Sequence, residues 1–187
     1  SNLLFVGVDL VVGLEGVLER VGRAAERGEH RLVGLPVGPV VRFEQAVSNT
    51  GFDWRWERDP AGHWNLQQAF GEGRERGTAA RLMFYGQANL AFHHLYQIVP
   101  VAPGTPCRLR WWWRGKSLTT DQGPFVEVYG YDCKGFRVTG PMLSGDRDWR
   151  EASLEFTPPA DCQAVVVRLR RNKSKRFDSK IAGTLWG

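Results

Sequence analysis

The chain has 187 residues, of which 42% are hydrophobic, 24% charged and 12% aromatic, and its formal net charge is +5. This apolar content excludes a disordered chain, and the length suffices for one domain with its own core plus an appendage. The longest mainly apolar stretch, residues 3–18, contains Asp9 and Glu15. It therefore falls short of a membrane span.

The first 38 residues have a different pattern from the rest of the chain. Apolar residues recur at helical spacing between Leu14 and Ala25, and Gly28 is suited to end such a helix. A stretch rich in Gly and Pro follows, which is typical of a linker. We therefore expect residues 1–38 to be an N-terminal helical segment and linker, and residues 39–187 to form the main module.

From residue 40 onwards, short runs rich in β-branched and aromatic residues alternate with turn residues, and no helical period competes with them. The predicted strands cover residues 40–46, 52–58, 79–85, 91–99, 106–114, 124–132, 149–157, 163–171 and 180–186. Regularly spaced strands without helices between them are typical of sandwiches and jelly rolls. We therefore predict an all-β fold, an antiparallel β-sandwich or jelly roll of about nine strands.

Several of these strands have one apolar face and one mixed face, because successive side chains of a strand point to opposite sides of the sheet. In residues 107–114, for example, Leu109 and Trp111 alternate with Arg110 and Trp112. Large rings among Arg and Glu are unusual on a solvated face. Two interpretations stay open, a recognition surface or a second small core covered by a neighbouring element. The mixed-face residues with binding chemistry are Trp112, Tyr129, Tyr131, Glu127, Arg110, Arg114 and Arg168.

Four phrases along the chain carry a resemblance to a known family. They are QIVPVAPG (97–104), CRLRWWWRG (107–115), WREASLEFTPP (149–159) and KIAGTLW (180–186). Their order resembles carbohydrate-binding modules with a galactose-binding-like jelly-roll fold, over roughly residues 40–187. The resemblance implies a non-catalytic module that binds a polysaccharide or oligosaccharide on its concave sheet. Trp112 and Tyr129 would then stack on sugar rings, and Arg110, Arg114, Glu127 and Arg168 would orient hydroxyl or carboxylate groups. The excess of arginine favours an acidic glycan.

The same resemblance implies two further features. Some members bind at the loop edge, which would instead use Trp54, Trp56, Trp64 or the loop around Asp121. Many hold a structural calcium through an acid of the opening strand, a position that Glu44 in VRFEQ (41–45) matches. One carboxylate does not hold calcium, which needs several oxygen ligands. We therefore expect no cofactor, with Glu44 as the candidate ligand if calcium binds.

Enzymatic and nucleic-acid functions are less well supported. The sequence lacks nucleophile-elbow, phosphate-loop and zinc-protease motifs. His93 and His94 are adjacent on a strand, so we expect them to point to opposite faces and not to share a metal ion. Seven basic residues fall within 168–180, but the net charge is low for nucleic-acid binding and RNA-binding signature motifs are absent. We predict neither catalysis nor nucleic-acid binding.

Three cysteines allow only one intramolecular disulfide and leave the redox compartment undecided. If a disulfide forms, we expect it between Cys133 and Cys162, which lie at strand ends, with Cys107 as a small core residue. Residue 1 is not Met and the chain stops straight after a predicted strand, so we expect a fragment of a longer parent chain. The expected location is the bacterial cell envelope or the extracellular space. The alternative to sugar binding is a structural or protein-interaction module of a larger envelope protein.

Overall fold

The computed structural model of the protein describes residues 7–12, 40–42, 47–51, 53–176 and 179–187. These residues form one short 3-10 turn, Arg74–Arg76, and twelve strands. The strands are β1 (Gly7–Val12), β2 (Val40–Arg42), β3 (Arg55–Trp56), β4 (Trp64–Ala69), β5 (Ala79–Tyr85), β6 (Phe92–Pro100), β7 (Cys107–Thr119), β8 (Phe125–Gly130), β9 (Arg137–Met142), β10 (Arg147–Phe156), β11 (Ala164–Arg171) and β12 (Ala182–Trp186). The predicted helix between Leu14 and Ala25 and its linker lie outside the described residues.

The strands form a seven-stranded and a five-stranded sheet, and every described strand pair is antiparallel. The first sheet has the order β2-β1-β7-β12-β5-β4, with β10 also paired to β7, and the second has the order β3-β6-β11-β8-β9. Gly115 of β7 pairs with Arg147 of β10 and with Leu185 of β12, so β10 and β12 lie on opposite sides of β7. This arrangement confirms the predicted antiparallel β-sandwich.

The core lies between the two sheets and follows the predicted alternation. Leu109, Trp111 and Trp113 of β7 are buried in one hydrophobic cluster with Val128 of β8 and Val165 of β11. Since these two sets come from different sheets, the apolar faces point towards each other. A second cluster, which includes Trp54, Trp64 and Phe92, continues the core under the rest of the sandwich.

The structure contains strands in places where the sequence predicts none. Trp64–Ala69 pairs with β5, and Arg137–Met142 pairs with β8. β7 extends to Thr119, beyond the end of the predicted strand 106–114. Gly7–Val12, inside the predicted N-terminal segment 1–38, pairs with β7. The boundary between residues 38 and 39 remains a prediction, because most of the N-terminal segment 1–38 lies outside the described residues.

The three cysteines take their predicted places. Cys133 and Cys162 form a disulfide bond, which confirms the predicted pair. Cys107 is free and 3% exposed. Burial raises the pKa of the Cys107 thiol to about 11. Its role as a small core residue is therefore confirmed.

Candidate functional site

The structure divides the predicted binding residues between two surfaces. Arg110, Trp112 and Arg114 lie on β7 in the seven-stranded sheet, whereas Glu127 and Arg168 lie on β8 and β11 in the five-stranded sheet. In each strand these residues alternate with core residues, so both sets face away from the core. The expectation of one shared surface is therefore wrong. The alternation within a strand indicates which side chains point away from the core, but it does not indicate to which sheet the strand belongs.

The outer face of the five-stranded sheet carries a row of paired residues that crosses all five strands. Arg55 pairs with Tyr96, Tyr96 with Arg168, Arg168 with Glu127, and Glu127 with Thr139. Directly paired residues of an antiparallel sheet lie on the same face. Sheet topology therefore places two arginines, a tyrosine and a carboxylate side by side. We call this face, together with Tyr129, Arg137 and Arg170, the arginine face.

Glu127 is the centre of the arginine face. It is only 1% exposed and accepts hydrogen bonds from Nε of Arg168 at 2.5 Å and from Nη1 of Arg170 at 3.0 Å. Nη1 of Arg137 lies 3.5 Å from the same carboxylate. The structure thus buries one acid beneath three guanidinium groups. Since a guanidinium carries five N–H donors, Glu127 leaves most donors of these arginines to other acceptors.

Tyr129 holds two of the same guanidinium groups. The Cζ atom of Arg168 lies 4.5 Å from the centre of the Tyr129 ring, and that of Arg137 lies 5.8 Å from it. Arg168 comes from β11 and Arg137 from β9, the two neighbours of β8. The ring is thus flanked on both sides by arginines. Tyr131, beyond the end of β8, is 60% exposed.

The outer face of the seven-stranded sheet pairs most of its charges. Arg110 donates to both carboxylate oxygens of Glu151 at 2.7 and 3.0 Å, and Arg108 forms an ion pair with Glu155. The hydrogen bond from Arg110 lowers the pKa of Glu151, and the charge of Arg110 lowers it further. Burial acts in the opposite direction but does not outweigh them. The partly buried Trp112 has the guanidinium groups of Arg74 and Arg110 over its ring, 5.0 and 5.3 Å from its centre.

The structure corrects two expectations about single residues. Trp54 and Trp64, which the loop-edge alternative would use, are 4% and 6% exposed and belong to the core, while Trp56 packs against it. His93 and His94 do not point apart, because their rings stack with centres 4.3 Å apart. The pairing of β6 with β11 shifts register at this point, which indicates a β-bulge and breaks the alternation.

The basic residues of 168–180 do not form one patch. Arg171 is fully buried and donates to the carbonyl oxygens of Gln122, at 2.8 Å, and Leu90. Asp121, the loop acid singled out in the sequence, accepts hydrogen bonds from the hydroxyl groups of Ser174, at 2.7 Å, and Ser179. These bonds fix the segment to the strand ends. Only part of the basic cluster, including Arg168 and Arg170, belongs to the arginine face.

No metal site is supported by the described residues. Glu44 lies outside them, so its candidate role stays a prediction. Asp132, Cys133 and Cys162 have ligand atoms close together, but both sulfurs belong to the disulfide. A sulfur in a disulfide is not the thiolate that binds metal. Across the described ranges there is also no helix with the length and hydropathy of a membrane span.

Similarity to known proteins is found among solved structures. No family model matches the chain, and no curated protein matches it. Among solved structures, it is similar to the CBM22-2 xylan-binding domain from Paenibacillus barcinonensis Xyn10C, with 10% identity, a TM-score of 0.46, and coverage of 71% of this chain and 86% of that one. It is also similar to TmCBM61 in complex with β-1,4-galactotriose, with 13% identity, a TM-score of 0.44, and coverage of 75% and 91%.

A longer protein is similar as well. The enzymatically active domain of bacteriophage CBA120 tailspike protein 4 has 12% identity and a TM-score of 0.46, over 67% of this chain. The match spans only 18% of the tailspike chain. A second long match, the CBM22-1-GH10 modules of Clostridium thermocellum xylanase 10B, is covered over 24% of its length. All these TM-scores are below 0.5.

Proposed function

We propose that this protein is a non-catalytic carbohydrate-binding module that binds an acidic glycan on the arginine face. The observation that carries the proposal is the charge of that face. Arg137, Arg168 and Arg170 approach the buried carboxylate of Glu127, which gives three positive charges against one. Arg55 lies further along the same face, beside Tyr96. On the seven-stranded side, by contrast, Arg108 and Arg110 each have a carboxylate partner.

The arginine face suits carboxylate or sulfate groups along a sugar chain. A guanidinium binds such oxyanions through two parallel N–H donors. Arg137 is 55% exposed, so a ligand reaches it directly, while Glu127 and Tyr129 hold Arg168 in a fixed position. In this proposal Tyr129 keeps its place in the site but mainly positions guanidinium groups. The exposed ring of Tyr131 remains available for stacking on a sugar face.

The other elements of the proposal concern the place and partners of the module. The disulfide between Cys133 and Cys162 favours an oxidising compartment, such as the cell envelope or the extracellular space. The glycan-binding class agrees with the resemblance of the sequence phrases to carbohydrate-binding modules. The module would act as part of a longer parent chain. Binding without hydrolysis predicts that the glycan is recovered at its original length after incubation.

Native affinity gels test this proposal. The gels contain polygalacturonate, a sulfated polysaccharide, neutral xylan or neutral galactan, each at low and high salt. We expect an acidic polysaccharide to retard the wild type, and Arg137→Gln to reduce that retardation. Trp112→Ala serves as the control on the other sheet and should leave it unchanged. Retardation lost in Trp112→Ala but kept in Arg137→Gln would move the site to the seven-stranded sheet. No retardation by any polysaccharide would favour a structural or protein-interaction module.

A further inference from the structure

A separate cleft lies on the side of the seven-stranded sheet, where β7 and β12 meet the turn between β9 and β10. Its volume is about 540 Å³. The polar and aromatic residues that line it are Arg114, Lys116, Asp146, Arg147, Asp148 and Trp186. The arginine face, which lies on the other sheet, contributes none of these residues.

Arg114 in this cleft differs from the other outward arginines of β7. Arg108 and Arg110 are bonded to glutamates of β10, whereas the Arg114 guanidinium donates no hydrogen bond to any side chain or carbonyl within the described part of the chain. Its Nε atom is buried. An unpaired buried N–H is unfavourable, and a ligand cannot reach this buried atom. The donors left for a ligand are those of the two terminal nitrogens, which are not buried.

Two tryptophans fix the position of Arg114. Its Cζ atom lies 4.1 Å from the centre of the Trp186 ring and 5.4 Å from that of Trp149. Trp186 belongs to β12 and Trp149 to β10, and these strands lie on opposite sides of β7. The aromatic rings therefore flank the guanidinium. Contacts of this kind hold the planar group in place and leave its N–H edge for an acceptor.

The remaining charges around the cleft favour an anion. Lys116 and Arg147 are exposed and add two positive charges to that of Arg114. The two aspartates already accept backbone hydrogen bonds, Asp146 from Ser117 N and Asp148 from Trp149 N at 2.8 Å. Glu72 is not among the lining residues, but the hydrogen bond from Trp186 Nε1, at 2.8 Å, and more weakly the charge of Arg114 lower its pKa, and it is also bonded to Arg81. At the rim of the cleft, the three cations therefore lie near two carboxylates that already accept hydrogen bonds.

We propose that this cleft is a second binding site, which takes the carboxylate of a small acidic ligand on Arg114. The planar fork of a guanidinium matches the two oxygens of a carboxylate. The volume of the cleft accommodates a sugar-sized molecule, so a single uronate residue is a suitable ligand. The site stands independently of the function proposed for the arginine face, because the two surfaces share no residue.

A titration of the full chain, followed by NMR of the tryptophan indole N–H groups, tests this proposal. The probe is glucuronate, and glucose at matched ionic strength is the neutral control. We expect glucuronate, but not glucose, to shift the indole signals of Trp149 and Trp186. Arg114→Gln should weaken this binding about tenfold or more, since it removes a charge-assisted hydrogen bond. Arg108→Gln, on the same strand and face, should leave it unchanged.

The outcomes separate this site from the arginine face. Arg168→Gln should leave the shifts of Trp149 and Trp186 intact, and loss of those shifts in Arg168→Gln alone would overturn the second site. Equal shifts with glucose, no shifts with glucuronate, or full binding by Arg114→Gln would overturn it as well. Should Arg114→Gln fail to fold, Arg147→Gln at the exposed rim takes its place. It should weaken binding severalfold, and unchanged binding would contradict the proposal.

Discussion

The buried carboxylate of Glu127 provides a sharp test of how the arginine face is held together. Glu127→Gln keeps the size of the side chain but removes the charge that three guanidinium groups approach. Removing one partner of a buried ion pair typically costs 3–5 kcal/mol, roughly, because the other charge stays unpaired. The three arginines are 17%, 28% and 55% exposed, so water screens part of their repulsion. We therefore expect a loss of about 3 kcal/mol in the free energy of unfolding.

Urea denaturation and calorimetry of Glu127→Gln measure this loss. For a chain of this size, about 3 kcal/mol corresponds to a fall in Tm of roughly 6–12 °C. Glu155→Gln is the matched control, since Glu155 pairs with Arg108 at an exposed position on the other sheet. Its expected cost is about 0–1 kcal/mol. A Glu127→Gln protein no less stable than Glu155→Gln would refute the view that this carboxylate organises the three arginines.

Three further predictions concern the stability of the sandwich. Reducing the Cys133–Cys162 disulfide, whose cysteines are 29 residues apart, should lower the free energy of unfolding by about 3–4 kcal/mol in the chain-entropy estimate; an unchanged Tm in reductant would contradict this. Gly183 has a φ of +114°, and an added Cβ would lie 2.2 Å from Ser117 O. Gly183→Ala should therefore cost more than about 2 kcal/mol, against about 1 kcal/mol for Gly62→Ala, where the Cβ meets open space; equal costs in urea denaturation would show that the close approach is unimportant. The hydrogen bond from Trp186, and after it that from Arg81, lower the pKa of Glu72 below its ordinary value of 4.5 although burial opposes them. A pKa lowered in the folded state contributes stability at pH values above the ordinary pKa, and this contribution is lost as pH falls through the pKa of the folded protein. Glu72→Gln removes the contribution, so its free energy of unfolding should fall less steeply with acid. A pH profile identical to that of the wild type would argue against the contribution.

Much of the sandwich could be predicted because its central strands repeat with a strict period of two. Leu109, Trp111 and Trp113 define the buried side of β7, and Val126 and Val128 do the same for β8. The missed strands lack that signal. β4 includes Asn65, Gln67 and Gln68, and β9 contains Gly and Pro. Both lie at sheet edges, where a strand pairs with one neighbour only and Pro is tolerated.

The candidate site was harder to predict than the fold. The sequence singles out Glu127, Tyr129 and Arg168, and the structure brings these three together. It also singles out Trp112, whose strand belongs to the other sheet. Arg55 was missed because its edge strand, β3, pairs with β6, which is distant in sequence. Arg137 was missed because its own edge strand, β9, is weakly patterned. Their pairing depends on strand order, which the alternation within one strand does not encode.

The most direct test of the central claim is a calorimetric titration of the whole protein with an oligogalacturonide at low and high salt. The wild type should bind, and the affinity should fall as salt rises, because guanidinium groups supply much of the attraction. Arg137→Gln, at the exposed rim of the arginine face, should weaken binding, while Trp112→Ala on the opposite sheet should not. An affinity that does not change with salt and is unchanged in Arg137→Gln would contradict the assignment of an acidic glycan to the arginine face. Loss of binding in Trp112→Ala would contradict it as well.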